Sequence, residues 1–433
     1  MKLLKLLLAT TLLCSTNTLR AQKYVGGDIS MLPKYEEAGV VYKDKDGNTV
    51  TDVLAFFKQE GLNAMRVRLF VDPSKDNDKA VCQDLEYVKA FGKRIKDAGM
   101  KLMLDFHYSD TWADPAKQWT PDAWKSLSDE QLCDKIYEYT KESLEQMVAA
   151  GATPDFIQTG NEISFGMLWG TKAAVGSEGN KTNRCYIDSP DANWTRFFNL
   201  LKKAGMACRE VCKDAKIIIH SERTPQANVL TDFFDRIKNA SIDYDIIGLS
   251  YYPAYHGDLN KLETALTSLE NKNYGKDIMV VETGYCYEWA LSKTTFDYTS
   301  TYEYSEEGQR QFTADLVTKL NAHESVKGLF WWWPEDNGNK GVTSGWWNAA
   351  LYNHDTGKPY AAFYELKNFN NGSSGFQGVV TEKKSNDNNW YTIEGRRLGG
   401  EPSKSGIYIN QGKKKFISIA GLPVFSSIFL KAL

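Results

Sequence analysis

The feature that most constrains this chain is an alternation. Eight short, mostly apolar runs, each followed by a segment with helical spacing, repeat between Tyr24 and Phe369. The runs are predicted strands at Tyr24–Ser30, Asn63–Phe70, Lys101–His107, the segment opened by Pro154, Lys216–Ser221, Tyr244–Tyr251, Asp277–Thr283 and Lys327–Trp332. Between them apolar residues fall three and four apart, as in Leu132, Ile136, Tyr139, Leu144, Met147 and Val148 of the predicted helix Ser128–Ala150, and Gly61, Gly99 and Gly151 mark helix ends. Strands so continuously apolar are buried on both faces, as in a parallel sheet covered by its own crossover helices. The predicted fold class is α/β, a (β/α)8 barrel. An open doubly wound sheet is the alternative, but it asks for a glycine-rich turn after the first strand, and Gly26-Gly27 falls inside that strand instead.

Before the barrel, residues 1–21 carry two early lysines, an apolar run from Leu6 to Leu13 and small residues leading to Ala21. This is the pattern of a secretory signal, too short for a transmembrane helix, so the chain is expected to be exported, with cleavage after Ala21. The catalytic barrel is assigned to residues 22–370, a Gly/Ser linker to 371–378, and a small β-rich module with an apolar tail to 379–433, with short strands read at Trp390–Ile393, Gly406–Asn410 and Lys415–Ile419. The tail is too short to span a bilayer comfortably. Six cysteines remain in the exported chain; their spacing does not make a zinc site, and their pairing is open among fifteen connectivities.

A formal net charge of −3 without a clustered basic face argues against a nucleic-acid partner. The 12 Trp and 23 Tyr suit a partner with flat apolar faces and hydroxyl edges, such as a sugar, although a large core also absorbs aromatics. A monomer acting on a polysaccharide is expected.

Active sites of such barrels lie at the C-terminal ends of the strands. The residues predicted there are Arg66 and Arg68, Asp105 and His107, Asn161 and Glu162, His220, Tyr251 and Tyr252, Glu282, and Trp331 to Trp333, with the aromatic loop YSDTWADPAKQWTPDAW after the third strand. Two glutamates, after strands four and seven, face each other across the mouth. Retaining glycoside hydrolysis needs two carboxyl groups about 5 Å apart, one as nucleophile and one as acid/base. Glu162 is the expected acid/base, its pKa raised by neighbouring negative charge until Glu282 is esterified. Glu282, behind Met279-Val280-Val281, is the expected nucleophile, held ionised by Arg66 or Arg68. Asn161 is placed on the sugar 2-hydroxyl, and Trp169, beyond the acid, as a sugar platform. His220, Tyr252 and Trp333 complete the candidate substrate-binding set. Structural alternatives stand beside each: a strand-end Glu often caps the next helix, paired arginines bridge barrel layers, and a lone His is commonly a satisfied core residue.

DIS with an RVR strand, FHYSDTWADP, TGNEISFGMLW, LSYYP and VVETGY together resemble the endo-β-1,4-galactanases of glycoside hydrolase family 53, over about Tyr24 to Phe369. The resemblance implies retaining hydrolysis of internal β-1,4-galactosidic bonds in galactan or arabinogalactan type I. It implies Glu162 as acid/base and Glu282 as nucleophile, supported by Arg68, His107, Asn161, Asp110 and Trp112. No cofactor is expected. Some members of that family carry calcium in the last barrel loops; Asp336-Asn337-Gly338-Asn339 offers oxygen ligands but not a recognisable calcium loop. Strand eight departs from the family pattern in its Trp331-Trp332-Trp333-Pro334-Glu335 run. IEGRRL and SGIYI in the C-terminal module resemble tail modules of proteins secreted by Bacteroidetes-type bacteria, which implies a periplasmic, cell-surface or extracellular place in a Gram-negative bacterium. Two other readings are a barrel endoglycanase acting on mannan, xylan or cellulose, and a non-catalytic surface glycan-binding protein.

Overall fold

The computed structural model describes residues 22–171, 183–186, 190–338, 342, 345–370, 390–392, 398, 400–403, 406–410 and 413–417. The signal segment, the linker, Asn339 and the apolar tail lie outside them. The chain divides into two compact units, Met1–Ser373 and Ser374–Leu433.

Eight parallel strands close on themselves in the first unit: β1 (Tyr24–Asp28), β2 (Ala64–Leu69), β3 (Lys101–Phe106), β4 (Phe156–Thr159), β5 (Lys216–Ser221), β6 (Ile246–Tyr251), β7 (Asp277–Thr283) and β8 (Val326–Trp332). Each pairs with its sequence neighbours, and β1 pairs with both β2 and β8, so the predicted (β/α)8 barrel is the observed fold. The helices between strands are α1 (Val53–Gln59), α2 (Leu85–Asp97), α3 (Asp129–Ala149), α4 (Pro190–Val211), α5 (Ala227–Asn239), α6 (Leu259–Lys272) and α7 (Glu306–Asn321). The last helix, expected over Tyr360–Phe369, is broken in two, Ala361–Glu365 and Lys367–Asn370.

Local chemistry sets these boundaries. Asp52, Asp84, Ser128, Asp258 and Ser305 each accept a first-turn N–H of the helix that follows, satisfying donors that would otherwise lack partners. Ser128 and Gln131 do so reciprocally at α3. Two apolar layers hold the barrel. The larger lies between strands and helices; the smaller fills the barrel interior with Ala64, Met103, Phe156, Ile218, Ile246, Met279, Val281 and Phe330, drawn from seven strands. Gly248 belongs to that interior because a Cβ there would stand 2.7 Å from Ile218 Cγ2. The lower barrel is thus plugged by hydrocarbon, and polar chemistry is confined to the upper rim.

Short elements that were not expected include a helix at Leu32–Glu37, a hairpin of Tyr42–Lys43 with Thr49–Val50, and a turn of helix at Pro253–His256. In the second unit Trp390–Thr392 (β9), Gly406–Asn410 (β10) and Lys413–Ile417 (β11) form an antiparallel sheet. The last strand starts two residues earlier than the expected Lys415, with Lys413 paired to Asn410. The six described cysteines are free thiols. Among the described residues no helix is long and apolar enough to cross a membrane.

Candidate active site

The upper rim is organised by Arg66 on β2, which is fully buried. Its Nη1 lies 2.8 Å from Asp28 Oδ2, and its Nη2 lies 2.7 Å from Asp105 Oδ2, 2.8 Å from Asn161 Oδ1 and 2.9 Å from Glu282 Oε1. One guanidinium therefore ties together β1, β3, the end of β4 and β7. An isolated buried cation would be costly; three carboxylates repay its desolvation and hold its pKa above the ordinary value. Arg68 does not reach Glu282. Its Nη1 pairs with Asp28 Oδ1 at 2.6 Å, and its guanidinium carbon stands 4.8, 4.9 and 5.2 Å from the rings of Trp112, Trp332 and Trp333. Of the two arginines left open by the sequence, Arg66 is the one paired with Glu282.

Glu282 is buried near the end of β7. Tyr252 Oη donates to its Oε2 at 3.1 Å. Burial pushes the carboxyl up to about 7, opposed by Arg66 and assisted by the charges of Asp105 and Asp28. Glu162 is half-buried just beyond β4, and Ser250 Oγ donates to its Oε1 at 2.6 Å. Burial, then the charges of Glu282 and Glu222, raise its pKa well above the usual carboxylate range. The environments divide the two glutamates: among the described residues no cation faces Glu162 as Arg66 faces Glu282, and the proton is favoured on Glu162 over Glu282.

Backbone geometry delivers Glu162 to this position. Its φ is +49°, a left-handed conformation that a non-glycine residue adopts only when its surroundings impose it; Tyr108, just after β3, and Trp333, just after β8, share the feature at +50° each. All three lie at strand ends on the same rim. A register shift between Leu249 and Ser250 places Ser250 opposite Glu282 on the neighbouring strand, a bulge that re-aims side chains at the site.

The other predicted residues fall into distinct places. Asn161 Oδ1 accepts from Arg66, and its Nδ2 donates to Ala113 O at 2.8 Å. His107 is buried: its Nδ1 accepts from Ala113 N at 3.0 Å and its Nε2 lies 3.0 Å from Asp105 Oδ2. His220 is fully buried within 3.0 Å of Asn161 Oδ1 and 2.8 Å of Ser250 Oγ. Tyr252, Trp112 and Trp333 flank the glutamates and Arg68. Asp110 sits farther out, where its two oxygens accept from Asp72 N and Asp122 N at 3.1 and 2.8 Å and pin the aromatic loop to its neighbour.

Trp169 requires a correction. It is fully buried, with Trp119 edge-on at 6.1 Å, Arg184 over its ring at 4.5 Å and its indole N–H donating to Phe165 O at 3.1 Å. A ring covered in this way is packing, not an open sugar platform. Sequence reasoning also missed Ser250, Gln158, Asp28 as an ion-pair partner, and Glu222, whose Oε1 accepts from Ser164 beside Arg223. The period-two alternation was the available signal, since Gly248 and Ser250 share one face of β6 as Gly26 and Asp28 share one face of β1.

Among the described residues no group of three or more His, Cys, Asp and Glu is arranged to hold a metal ion. Glu335 and Asp336 are buried, and burial raises both carboxyls, Asp336 to about 7. Tyr42 Oη donates to Glu335 O, and Met31 N to Glu335 Oε1; these contacts stitch the loop after β8 to the segment after β1.

A closed parallel barrel with its polar side chains gathered at the C-terminal rim defines a barrel enzyme. The chain belongs to glycosyl hydrolase family 53, whose sequence profile matches residues 24–364, and is a glycoside hydrolase. It is 31% identical over 319 residues to an endo-beta-1,4-galactanase of Bacillus subtilis, covering 71% of this chain and 69% of that one. To an arabinogalactan endo-beta-1,4-galactanase A of Emericella nidulans it is 32% identical over 340 residues, 76% and 89% of the two chains. Among solved structures it resembles the Ignisphaera aggregans GH53 catalytic domain, with 31% identity, a TM-score of 0.70, and coverage of 80% of this chain and 96% of that one.

Proposed function

We propose that this protein is a retaining endo-β-1,4-galactanase that cuts internal bonds of β-1,4-galactan, including the galactan of arabinogalactan type I. The reading is carried by the division between the two rim glutamates: Glu282 is paired with Arg66 at 2.9 Å, while Glu162, with no cation facing it among the described residues, has its pKa raised by burial and by Glu282. The names of the family relatives support galactan as the substrate.

In the first step a Glu282 carboxylate oxygen attacks the anomeric carbon. The bond from that carbon to the glycosidic oxygen breaks, its electron pair goes to the oxygen, and Glu162 supplies the proton. Esterified Glu282 no longer repels charge at Glu162, so the Glu162 pKa falls and its carboxylate takes a proton from the water that releases the sugar. Asn161, oriented by Arg66 and Ala113 O, is assigned to the sugar 2-hydroxyl. Arg68 with Trp112, Trp332 and Trp333 supplies a cation-backed aromatic wall.

Product analysis tests the substrate. Purified enzyme is expected to release short oligosaccharides from potato or lupin galactan and none from mannan or xylan, with Glu162→Ala inactive in parallel; turnover of mannan or xylan alone would overturn the assignment. We also propose export, on the strength of the lysines and apolar run of residues 1–21. Mass spectrometry of the protein from its native host should find Gln22 at the N-terminus, and a mature chain retaining Met1 would contradict it.

A further inference from the structure

We propose that Ser250 is a positioning residue for the proton-transfer step: with His220 it forms a one-way hydrogen-bond relay that occupies Glu162 Oε1 and confines the transferable proton to Oε2. The inference rests on the assignment of Glu162 as acid/base and adds how that acid is aimed.

The direction of the relay follows from donors that cannot reverse. The backbone N–H of Glu162 points at His220 Nδ1, 3.3 Å away. Gln158 Nε2 is 3.1 Å from the same nitrogen, and it is fixed as a donor because it also lies 2.5 Å from Asp105 Oδ1. Asp105 remains a carboxylate there, between Arg66 and His107. Two donors converge on Nδ1, so Nδ1 presents its lone pair. The contact from Nδ1 to Asn161 Oδ1 at 3.0 Å is then not a hydrogen bond, and that oxygen is already supplied by Arg66 Nη2. Buried and facing Arg66, His220 stays neutral, so its single proton is on Nε2. Nε2–H donates to Ser250 Oγ at 2.8 Å, which leaves the Ser250 O–H to donate to Glu162 Oε1 at 2.6 Å. His220 and Ser250 are both fully buried, so water does not compete for these contacts.

Oε1 is therefore an acceptor in both states of Glu162. In the acid form the proton is carried by Oε2 and passes from there to the departing oxygen as the glycosidic bond breaks. In the carboxylate form the Ser250 hydrogen bond stabilises the charge, which favours the transfer. The ionisable groups around Glu162 are Glu282 and Tyr252 from β7 and the end of β6, Glu222 and His220 from the end of β5, and Asp114 from the loop after β3. Of these, His220 contacts the Ser250 side chain, and Ser250→Ala removes the acceptor of its Nε2–H while leaving the other groups in place.

The test compares wild type, Ser250→Ala and Ser250→Thr on galactan and on an aryl β-galactoside with a dinitrophenolate leaving group, which departs without protonation. Loss of a charge-assisted hydrogen bond predicts a fall in kcat on galactan of about tenfold for Ser250→Ala, with KM little changed. The basic limb of its pH profile should move to higher pH, the pre-steady-state burst on the aryl galactoside should be preserved, and Ser250→Thr should restore the wild-type profile. In wild type, nitrogen NMR of the histidine rings should find His220 protonated at Nε2, a readout that survives even if Ser250→Ala does not fold. An Nδ1-protonated His220, or a Ser250→Ala enzyme with an unmoved basic limb, overturns the relay. Full galactan activity in Glu162→Ala would instead overturn the acid/base assignment beneath it.

Discussion

Arg66 Nη2 is 2.9 Å from Glu282 Oε1, and the same nitrogen is 2.7 Å from Asp105 Oδ2. The proposed nucleophile thus shares its cation with a second buried carboxylate, and their balance sets when Glu282 is ionised. Arg66 lowers the Glu282 pKa, so weakening the pair raises it, and more alkaline conditions are needed to form the attacking carboxylate. Arg66→Lys keeps a positive charge but cannot reproduce the forked contacts. It should lower kcat/KM by about a hundredfold and shift the acidic limb of the pH profile upward; a profile whose acidic limb stays in place would separate Arg66 from Glu282 ionisation.

Tyr252 should act in the same direction and more weakly. Its hydroxyl donates to Glu282 Oε2 at 3.1 Å and favours the charged form. Tyr252→Phe is expected to reduce kcat/KM by about tenfold while leaving the melting temperature near that of wild type. Steady-state kinetics and thermal denaturation read the two quantities separately.

Asp105 links the site to acid stability. Although burial opposes its ionisation, Arg66 and His107 hold its carboxyl down to about 2. A depressed folded pKa contributes stability that is complete above the unfolded value near 3.9 and is lost as pH falls toward 2. The contribution is on the order of 2 kcal/mol. Denaturant titrations between pH 5 and pH 2 should show wild type losing stability faster than Asp105→Asn over that window, although the variant starts lower because Arg66 loses a partner; parallel curves would exclude the linkage.

Trp169 carries the opposite expectation from a binding residue. Fully buried against Trp119 and Arg184, it should lose about 3–5 kcal/mol of stability on conversion to Ala, with KM for galactan in the folded fraction unchanged. A raised KM without a fall in melting temperature would return it to the substrate-contacting set.

Much of this architecture was legible in the sequence because parallel barrel strands are apolar on both faces and end at abrupt polar corners. Lys216–Ser221 and Asp277–Thr283 could be read residue for residue, since each run is bounded by charge or a turn. The broken last helix could not, because its apolar spacing runs through Leu366 without interruption. At the site, Glu162, Glu282, Asn161 and His220 stood out by residue type at strand ends. The choice between Arg66 and Arg68 did not, because residues two apart on a strand share a face and only the closed barrel decides which carboxylate each meets. Trp169 misled for the related reason that an aromatic beyond a strand end looks alike whether it is covered or open.

The central claim, a double displacement through Glu282, is tested most directly by trapping the intermediate. A 2-deoxy-2-fluoro-β-galactoside with a dinitrophenolate leaving group slows release of the sugar, and intact mass followed by peptide mapping locates the ester. One fluorogalactosyl group per chain is expected, on Glu282, with Glu282→Gln unlabelled. A label on any other residue, or first-formed products of inverted anomeric configuration, would contradict it.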